Sequence, residues 1–372
     1  MKIFYPYNEI LPKKKAHDVF IVNECAAWAE EGHQVTLLSG QGGENLYHHY
    51  DLNPLASLHL CKLPLLRKNN LLGLSWNRPF FYFCQKKIEK EKPDWVILSV
   101  FKQGKYHLAR KVRGVRYIYE VHELTCYSQE SSSPRFIEER TFLNQADRIV
   151  TTTTALRTLL LNPPYSLSVP IEVIPLAVRM EPLPRLVQTQ TLTVGYVGQL
   201  YKEQGISLLI EALSKTEGIQ LKIVGGKEQE ITEYRREAAR RGVATRIQFM
   251  GFHAPSALPS LIQDVDAFVA PFGREGRMAF VAHTKLSEYA VWGRPIIAPA
   301  LPVVEDHFPE RRGVILFEPG NAQDLAKALS ALQQQELARR LEGEIRELAT
   351  HFSWKRRMQR YEHILQTTEA EL

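Results

Sequence analysis

The stretch that decides the fold of this chain covers residues 284–299 and reads TKLSEYAVWGRPIIAP. Its first half has the length and pattern of a short helix that begins with polar residues and ends at Gly293. Its second half, after Pro295, is an apolar run typical of a buried strand. A helix N-terminus carries unpaired N–H groups and partial positive charge, which suit a phosphate, and Glu288 could accept hydrogen bonds from a neighbouring sugar diol. An ordinary helix–strand joint of an α/β domain is the alternative, and the stretch alone leaves both interpretations open.

The same alternation of apolar strands and amphipathic helices extends along the chain in both directions. In the first half, the apolar runs predict strands at Lys2–Tyr5, His33–Ser39, Leu58–Leu63, Asp94–Val100, Arg116–Val121 and Arg148–Thr152. In the second half, they predict strands at Leu192–Val197, Leu221–Val224, Ile247–Met250, Ala267–Ala270, Pro295–Ala298 and Val314–Phe317. Alternation of this kind predicts parallel sheets that are covered by helices on both faces.

A Pro-rich run without periodicity, Leu176–Gln190, lies between the two series of strands and is the best candidate for a linker. A chain of 372 residues is also too long for one ordinary core. We therefore predict an α/β fold with two Rossmann-like, doubly wound domains that face a cleft. Ligands of such domains bind at the carboxyl ends of the strands.

Composition places the chain among soluble globular proteins, with 44% hydrophobic and 24% charged residues. No apolar run reaches the roughly 18–20 residues of a membrane-spanning helix, and the N-terminus is interrupted too soon for a signal peptide. The cysteines are widely spaced and form no Cys-x-x-Cys pair; they are Cys25, Cys61, Cys84 and Cys126. We therefore expect buried free thiols in a reducing cytoplasm, not disulfides or a metal site.

The excess of positive charge is concentrated between Lys62 and Lys92, where eight basic residues stand against two acidic ones. Leucines and aromatic residues are interleaved with these charges. Such a mixture suits peripheral contact with an anionic membrane, here the inner membrane face, or with another polyanion. Alternatively, the aromatic residues pack on the sheet while the lysines remain in water. No recognised nucleic-acid-binding motif accompanies the charge, so we expect no nucleic acid partner.

Several cofactor and metal motifs are missing from the sequence. Residues 6–15, after the first strand, read PYNEILPKKK and contain no glycine, which argues against the Gly-x-Gly-x-x-Gly loop of NAD enzymes. The pattern Asp264-Val265-Asp266 is similar to a metal-binding Asp-x-Asp but also fits a helix-to-strand turn. The pairs His48-His49 and His122-Glu123 lack the spacing of a zinc site. We expect neither a metal nor an organic cofactor.

Seven segments, in order along the chain, resemble the retaining GT-B glycosyltransferases of the group 1, family 4-like type. They are AEEGHQVTLL (29–38), YEVHE (119–123), VIPLAV (173–178), GYVGQL (195–200) with GISLLIEAL (205–213), FMGF (249–252), DAFVAP (266–271) and FSW (352–354). The stretch 284–299 is similar to the helix that lines the family's donor site. The resemblance implies an acceptor-side domain over residues 1–178 and a nucleotide-sugar domain over 179–353. It also implies that a final helix, residues 354–372, packs back on the first domain.

The resemblance implies transfer of a hexose from a nucleotide diphosphate sugar to a glycan, lipid-linked or small polar acceptor, with retention of configuration. Negative charge develops on the diphosphate as the sugar–phosphate bond breaks, so cations and backbone N–H groups stabilise the transition state. The expected catalytic residues are His122, Lys202 and Lys285. The expected contacts to the donor nucleotide come from Glu288, Gln199, Phe252, Thr284 and Leu286. Each lysine also fits a solvated surface charge, and a lone histidine fits a structural role.

Two departures from the family pattern affect the expected donor site. The Arg and Lys that hold the leaving diphosphate in the family are replaced by Gln199 and Gln204, and Lys202 is the nearest candidate to supply the charge. The first of the family's two glutamates is replaced by Phe280, whereas the second is present as Glu288. Two alternatives therefore remain. One is a binding or regulatory protein with decayed catalysis, and the other is a nucleotide-sugar epimerase on the same architecture.

Overall fold

The computed structural model describes residues 1–13, 15–40, 42, 45–65, 77–179, 182–183 and 191–370. The strands are β1 (Lys2–Ile10), β2 (Gln34–Gly40), β3 (Leu58–Leu63), β4 (Trp95–Leu98), β5 (Arg116–Val121), β6 (Arg148–Thr151), β7 (Ile171–Val173), β8 (Leu192–Val197), β9 (Ile219–Val224), β10 (Ile247–Gly251), β11 (Ala267–Val269), β12 (Ile296–Pro299) and β13 (Val314–Phe317). The helices are α1 (Ala16–Glu30), α2 (Leu46–His49), α3 (Arg78–Glu91), α4 (Phe101–Leu108), α5 (Pro134–Leu143), α6 (Thr154–Leu161), α7 (Ile206–Leu213), α8 (Glu228–Arg240), α9 (Leu258–Ile262), α10 (Thr284–Trp292), α11 (Pro302–His307), α12 (Ala322–Ala331), α13 (Gln335–Leu348) and α14 (Trp354–Ala370).

The chain divides into two compact units. The first consists of Met1–Ile174 together with Arg357–Leu372, and the second of Pro175–Arg356. Most of α14 therefore belongs to the first unit, although it follows the second in the sequence. Much of the predicted linker, residues 180–181 and 184–190, lies outside the described residues. Leu183 between them is buried and donates its N–H to the Trp292 carbonyl at 3.2 Å, so this part of the segment packs on the second unit.

The first unit contains a seven-stranded sheet in the order β3-β2-β1-β4-β5-β6-β7. Every neighbouring pair is parallel; for example, Ile3 of β1 pairs with Val35 on one side and with Trp95 on the other. All four residues of β4 are buried, as expected for a central strand that has helices on both faces. The strand order reverses between β1 and β4, which is where doubly wound sheets leave a crevice for ligands.

The second unit contains a six-stranded parallel sheet in the order β10-β9-β8-β11-β12-β13, with its reversal between β8 and β11. Separate apolar clusters fill its interior, one including α7 and α12 residues and the other including α10 and α11 residues. Close backbone approaches at the carboxyl edge depend on glycine. A Cβ on Gly205 would lie 2.0 Å from the Pro271 carbonyl oxygen, and one on Gly225 would lie 2.1 Å from that of Gly198.

The predicted fold class is confirmed, because both sheets are parallel and each predicted strand overlaps an observed one. The expectation of buried thiols needs one correction. Cys25, Cys84 and Cys126 are buried, but Cys61 is only partly buried because β3 is the edge strand of its sheet. Within the described ranges, no helix is both long and apolar enough to cross a membrane.

The basic segment Lys62–Lys92 includes helix α3. Some aromatic residues of this helix pack in the core and others lie at the surface, so both arrangements expected from the sequence occur. Phe80 and Phe81 are buried against the rest of the unit, whereas Tyr82 and Phe83 are 51% and 43% exposed. Residues 66–76 of the segment, which include Arg67 and Lys68, lie outside the described residues. The described part of the segment therefore has an aromatic face in the core and two further aromatic residues at the surface.

Candidate active site

Helix α10 lies between β11 and β12, so its N-terminus is at the carboxyl edge of the second sheet. The helix ends at Gly293, whose φ of 72° is the left-handed conformation that favours glycine. Within the described residues, no side chain caps its N-terminus at His283. The first N–H groups of α10 and its positive dipole end are therefore arranged as an anion-binding helix terminus requires.

Tyr289 fastens α10 to the central strand β8. Its hydroxyl accepts a hydrogen bond from the Val197 N–H at 2.9 Å and donates one to the Val197 carbonyl at 3.1 Å. Its ring stacks on Phe268 with 4.6 Å between centroids. Tyr289 and Lys285 are four residues apart, so they share the helix face that looks toward β8. The hydrogen bonds of Tyr289 therefore fix the position of Lys285 relative to β8.

Lys285 donates hydrogen bonds to one group in β8 and to one group in the turn that follows it. Its Nζ is 2.9 Å from the Tyr196 hydroxyl and also donates to Oε1 of Gln204. The Tyr196 hydroxyl in turn donates to the Gln199 carbonyl at 2.6 Å. Tyr196 could not be identified from the sequence, because an aromatic residue inside an apolar strand is typical of a core position.

Burial shifts the pKa values of Lys285 and Glu288, the two ionisable residues on the first turns of α10. It lowers the pKa of Lys285 to about 7, and the nearby Glu288 carboxylate offsets part of this effect. Burial raises the pKa of Glu288 to about 6, and the Lys285 ammonium offsets part of that. Both groups therefore titrate close to neutral pH. An anion bound beside Lys285 would favour its charged form.

The structure changes the interpretation of Gln204. The sequence suggested that Lys202 replaces the cation missing at this position. Instead, Gln204 accepts its hydrogen bond from Lys285, whereas Lys202 is exposed in the 3₁₀ turn Lys202–Gln204. In the part of the chain that the structure describes, no hydrogen bond or ion pair joins Lys202 to Lys285, Gln204 or Tyr196. Lys285 is therefore the cation that contacts Gln204, the position where the family resemblance led us to expect a positive charge.

The other predicted donor contacts have different degrees of exposure. The Gln199 side chain is exposed directly after β8, and Phe252 is 64% exposed directly after β10, both at the carboxyl edge of the sheet. Thr284 is partly buried as the first residue of α10. Leu286 is different, because its side chain is fully buried in the core and its N–H is donated to the His283 carbonyl at 2.9 Å. Packing accounts for the Leu286 side chain, and the expected contact between Leu286 and the nucleotide stays a prediction.

His122 belongs to the first unit, directly after β5. Its ring packs edge-on against Phe20 and His17, with 5.1 Å between centroids in each pair. The side chain is 17% exposed, and Nε2 lies 3.5 Å from Oε2 of Glu120. Burial lowers the pKa of His122 to about 4; Glu24 opposes this effect and Arg357 adds to it. The ring is therefore neutral at pH 7.

Further polar groups lie beside His122 at the start of α1. The Tyr7 hydroxyl donates to Oδ1 of Asp18 at 2.5 Å and lies 3.3 Å from Nδ1 of His17. Burial, with His122 as the next cause, lowers the pKa of His17 to about 4. The sequence did not single out this cluster, although His17 and Asp18 follow closely on the Lys13-Lys14-Lys15 run of the sequence. Neutral imidazoles and a carboxylate are suited to hydrogen-bonding hydroxyl groups.

The Asp-x-Asp pattern is used in contacts within the second unit. Asp264 accepts hydrogen bonds from Nζ of Lys222 at 2.5 and 2.6 Å, and Asp266 accepts one from the Thr193 N–H at 2.7 Å. These bonds explain the two carboxylates as parts of a helix-to-strand turn. Among the described residues, no cluster of three His, Cys, Asp or Glu side chains could hold a metal ion.

Two family models match the chain, one in each half. Residues 18–181 match the model described as Glycosyltransferase Family 4, and residues 191–335 match the model described as Glycosyl transferases group 1. A comparison with the curated proteins finds no match.

Solved structures with the same fold cover nearly the whole chain. Sucrose-phosphate synthase from Thermosynechococcus elongatus is 17% identical, with a TM-score of 0.75 and 100% of both chains covered. HepE from Anabaena in complex with UDP is 14% identical, with a TM-score of 0.76 and coverage of 99% of this chain and 100% of that one. WaaG, a glycosyltransferase involved in lipopolysaccharide biosynthesis, is 15% identical, with a TM-score of 0.61 over 94% of this chain and 95% of that one. At these identities, the likeness concerns the fold.

Proposed function

We propose that this chain, a glycosyltransferase with the GT-B fold, transfers a hexose from a nucleotide diphosphate sugar to a glycan, lipid-linked or small polar acceptor with retention of configuration. The observation that carries the proposal is the position of Lys285. Its ammonium lies at the N-terminus of α10 among Tyr196, Gln204 and the Glu288 carboxylate. This arrangement offers a cation and helix N–H groups to a diphosphate and a carboxylate to a ribose.

The chemistry follows from the charge that develops on the leaving group. The bond between C1 of the sugar and the phosphate oxygen breaks, and the diphosphate leaves with the bonding electrons. The acceptor oxygen forms the new bond to C1 and gives up its proton, which the departing phosphate oxygen can take. Lys285 and the N-terminus of α10 stabilise the growing charge on the diphosphate. We keep Lys202 as a second cation that acts when donor is bound.

Glu288, Gln199, Phe252 and Thr284 are assigned to nucleotide binding. A carboxylate one turn into α10 suits the two hydroxyls of a ribose, and the exposed ring of Phe252 suits the face of a base. HepE has been solved with UDP, which supports a nucleoside diphosphate as the ligand class. We assign His122 the role of a hydrogen-bonding partner of the transferred sugar, because its ring is neutral and partly exposed.

The acceptor is proposed to be reached at an anionic membrane surface of the cytoplasm. Helix α3 carries Lys86, Lys87 and Lys90 together with the exposed rings of Tyr82 and Phe83. Aromatic rings and lysines on one helix suit the boundary between lipid headgroups and water. WaaG, which shares the fold, is a glycosyltransferase of lipopolysaccharide biosynthesis, which supports a lipid-linked acceptor.

Turnover of a panel of nucleotide sugars, with and without acceptor, tests this function against its two alternatives. A transferase releases nucleoside diphosphate only when an acceptor is present, apart from slow hydrolysis. A binding protein with decayed catalysis retains a nucleotide sugar in native mass spectrometry but does not turn it over. An epimerase changes the sugar without acceptor and without release of the nucleotide.

The same assay tests whether the diphosphate is held by protein cations and not by a metal ion or cofactor. We expect release of nucleoside diphosphate to persist after treatment with a chelator, because Lys285 and the helix N-terminus supply the positive charge. Loss of activity in chelator that magnesium or manganese restores would contradict this part of the proposal.

A further inference from the structure

Three ionisable side chains meet in the interior of the first unit. They are Glu24 of α1, Glu120 of β5 and Arg357 of α14, and each is at least 98% buried. Arg357 donates to Oε1 of Glu24 from Nε at 3.0 Å and from Nη2 at 2.8 Å, and Nη2 also donates to Oε1 of Glu120. Its Nη1 donates to the Ile174 carbonyl at 2.8 Å. The C-terminal helix therefore places a guanidinium between two buried carboxyl groups.

The charges in this cluster balance only if one carboxyl group carries a proton. Two ionised carboxylates beside one guanidinium would leave a net negative charge in the core, which is costly. Burial and the neighbouring Glu120 raise the pKa of Glu24, an effect that Arg357 only partly opposes. Oε2 of Glu24 has no hydrogen-bond partner among the described residues, whereas both oxygens of Glu120 accept hydrogen bonds. This pattern places the proton on Glu24 and leaves Glu120 as the carboxylate that Arg357 balances.

The two oxygens of Glu120 face different partners. Oε1 accepts from Arg357, whereas Oε2 accepts from the Tyr5 hydroxyl at 3.3 Å and lies 3.5 Å from Nε2 of His122. An ionised carboxylate can only accept hydrogen bonds, so the nitrogen that faces it is favoured as the protonated one. A neutral imidazole has one N–H, and its other nitrogen is an acceptor.

We propose that Glu120, held in place by Arg357, is a positioning residue that keeps His122 in the Nε2–H tautomer and so presents Nδ1 as a hydrogen-bond acceptor to a hydroxyl of the sugar substrate. The proposal rests on the proposed function, since it assumes that His122 meets a sugar. It assigns the terminal helix a part in catalysis through Arg357 and Glu120, in addition to packing.

Substitution Glu120→Gln tests the proposal because the amide oxygen and nitrogen are not interchangeable at this site. Arg357 requires an acceptor, so the amide oxygen takes the position of Oε1 and the NH₂ group faces His122. Nε2 of His122 must then accept a hydrogen bond, and the proton moves to Nδ1. We expect kcat to fall by at least about 10-fold while the donor KM changes by less than about 2-fold, since the change affects the reacting sugar more than the nucleotide.

The tautomer is measured directly by ¹⁵N–¹H correlation spectra of protein labelled at its histidines, with His122→Gln used to assign the signal. We expect Nε2–H in the wild type and Nδ1–H in Glu120→Gln. Glu139→Gln is the matched control. Glu139 is an equally buried carboxylate of the same unit, which accepts from the Thr125 and Cys126 N–H groups at 2.9 and 3.1 Å. Its variant should leave the His122 tautomer unchanged.

Two results would overturn the proposal. One is an Nδ1–H tautomer in the wild type, which is observable even if Glu120→Gln fails to fold. The other is a folded Glu120→Gln variant that has the wild-type tautomer and kcat. Both outcomes are distinguishable from failure of the proposed function, because the tautomer is recorded without substrate. A wild-type protein that transfers no sugar would reject the function instead.

Discussion

At the scale of single residues, Lys285 and Glu288 should have separable effects on the kinetics. Lys285 meets more negative charge as the sugar–phosphate bond breaks, so Lys285→Ala should lower kcat by about 10²-fold to 10³-fold, more than it raises the donor KM. In the proposed site, Glu288 contacts the ribose equally in the ground and transition states, so Glu288→Ala should mainly raise the donor KM. Steady-state kinetics with the preferred donor measures both.

Lys202→Ala completes this set, because Lys202 is exposed and Lys285 already donates to Gln204. We expect a smaller loss for Lys202→Ala than for Lys285→Ala. Wild-type turnover by folded Lys285→Ala and Glu288→Ala variants would show that the site has been misplaced.

The dependence of kcat/KM on pH should reflect the same two residues. In the proposed mechanism, catalysis needs the charged form of Lys285, whose pKa is lowered to about 7, so activity should decline as the pH rises through about 7. It also needs the ionised form of Glu288, whose pKa is raised to about 6, so activity should decline as the pH falls below about 6. Lys285→Arg keeps its charge at alkaline pH and should move the alkaline limb upward. An alkaline limb that is identical in wild type and Lys285→Arg would mean that another group titrates.

The sequence predicted site roles for Lys285 and Glu288 because the spacing of the TKLSEY motif is local. It could not reveal that Lys285 is hydrogen-bonded to Tyr196 and Gln204, which are 89 and 81 residues away along the chain. Such contacts depend on how β8 and α10 pack. For this reason the sequence could not show that the Lys285 ammonium donates to Gln204, and the interpretation of Gln204 as a lost cation stays a prediction.

At the scale of secondary structure elements, helix α3 should bind anionic membranes. Each lysine close to an anionic surface contributes about 1 kcal/mol, and the effect weakens as salt rises. Sedimentation with vesicles that contain anionic lipid should therefore decrease when Lys86 and Lys87 are both changed to Glu. Replacing Tyr82 and Phe83 by Ser should also reduce it, with less dependence on salt.

A matched control for α3 is available on α13, where Arg339 and Arg340 are exposed neighbours. Changing both to Glu alters the net charge of the protein by the same amount as the lysine variant. This control should sediment like the wild type. Equal losses in both variants would indicate attraction by overall charge, and a wild type that never sediments would favour a soluble acceptor.

Strands were easier to predict than the roles of helices. Each predicted strand is a short apolar run, and such a run needs only burial on both faces of a parallel sheet to become a strand. For α3, the prediction of a core-packed or a membrane-facing helix depended on which of its aromatic residues face the core. Phe80 and Phe81 do, whereas Tyr82 and Phe83 do not, and only packing against neighbouring elements decides this.

At the scale of the whole molecule, alternation of strands and helices predicted two α/β units, and the change in composition near residue 176 predicted where one ends. Composition did not predict that α14 belongs with the first unit, and the family resemblance supplied that expectation. The physical reason is now visible in Arg357, whose guanidinium reaches Glu24 and Glu120 in the interior of the first unit. A single arginine in an amphipathic helix gives no sign in the sequence of partners so distant along the chain.

The central claim, transfer of a hexose with retention, is tested most directly by following one reaction by ¹H NMR. The reaction contains an α-linked nucleotide diphosphate sugar, an acceptor and a chelator, and the H1–H2 coupling identifies the anomeric configuration of each species. We predict that the donor signal disappears, nucleoside diphosphate accumulates and an α-linked product appears at the same rate. A β-linked product would contradict retention. A donor that stays intact, or a changed sugar that stays attached to its nucleotide, would contradict transfer itself.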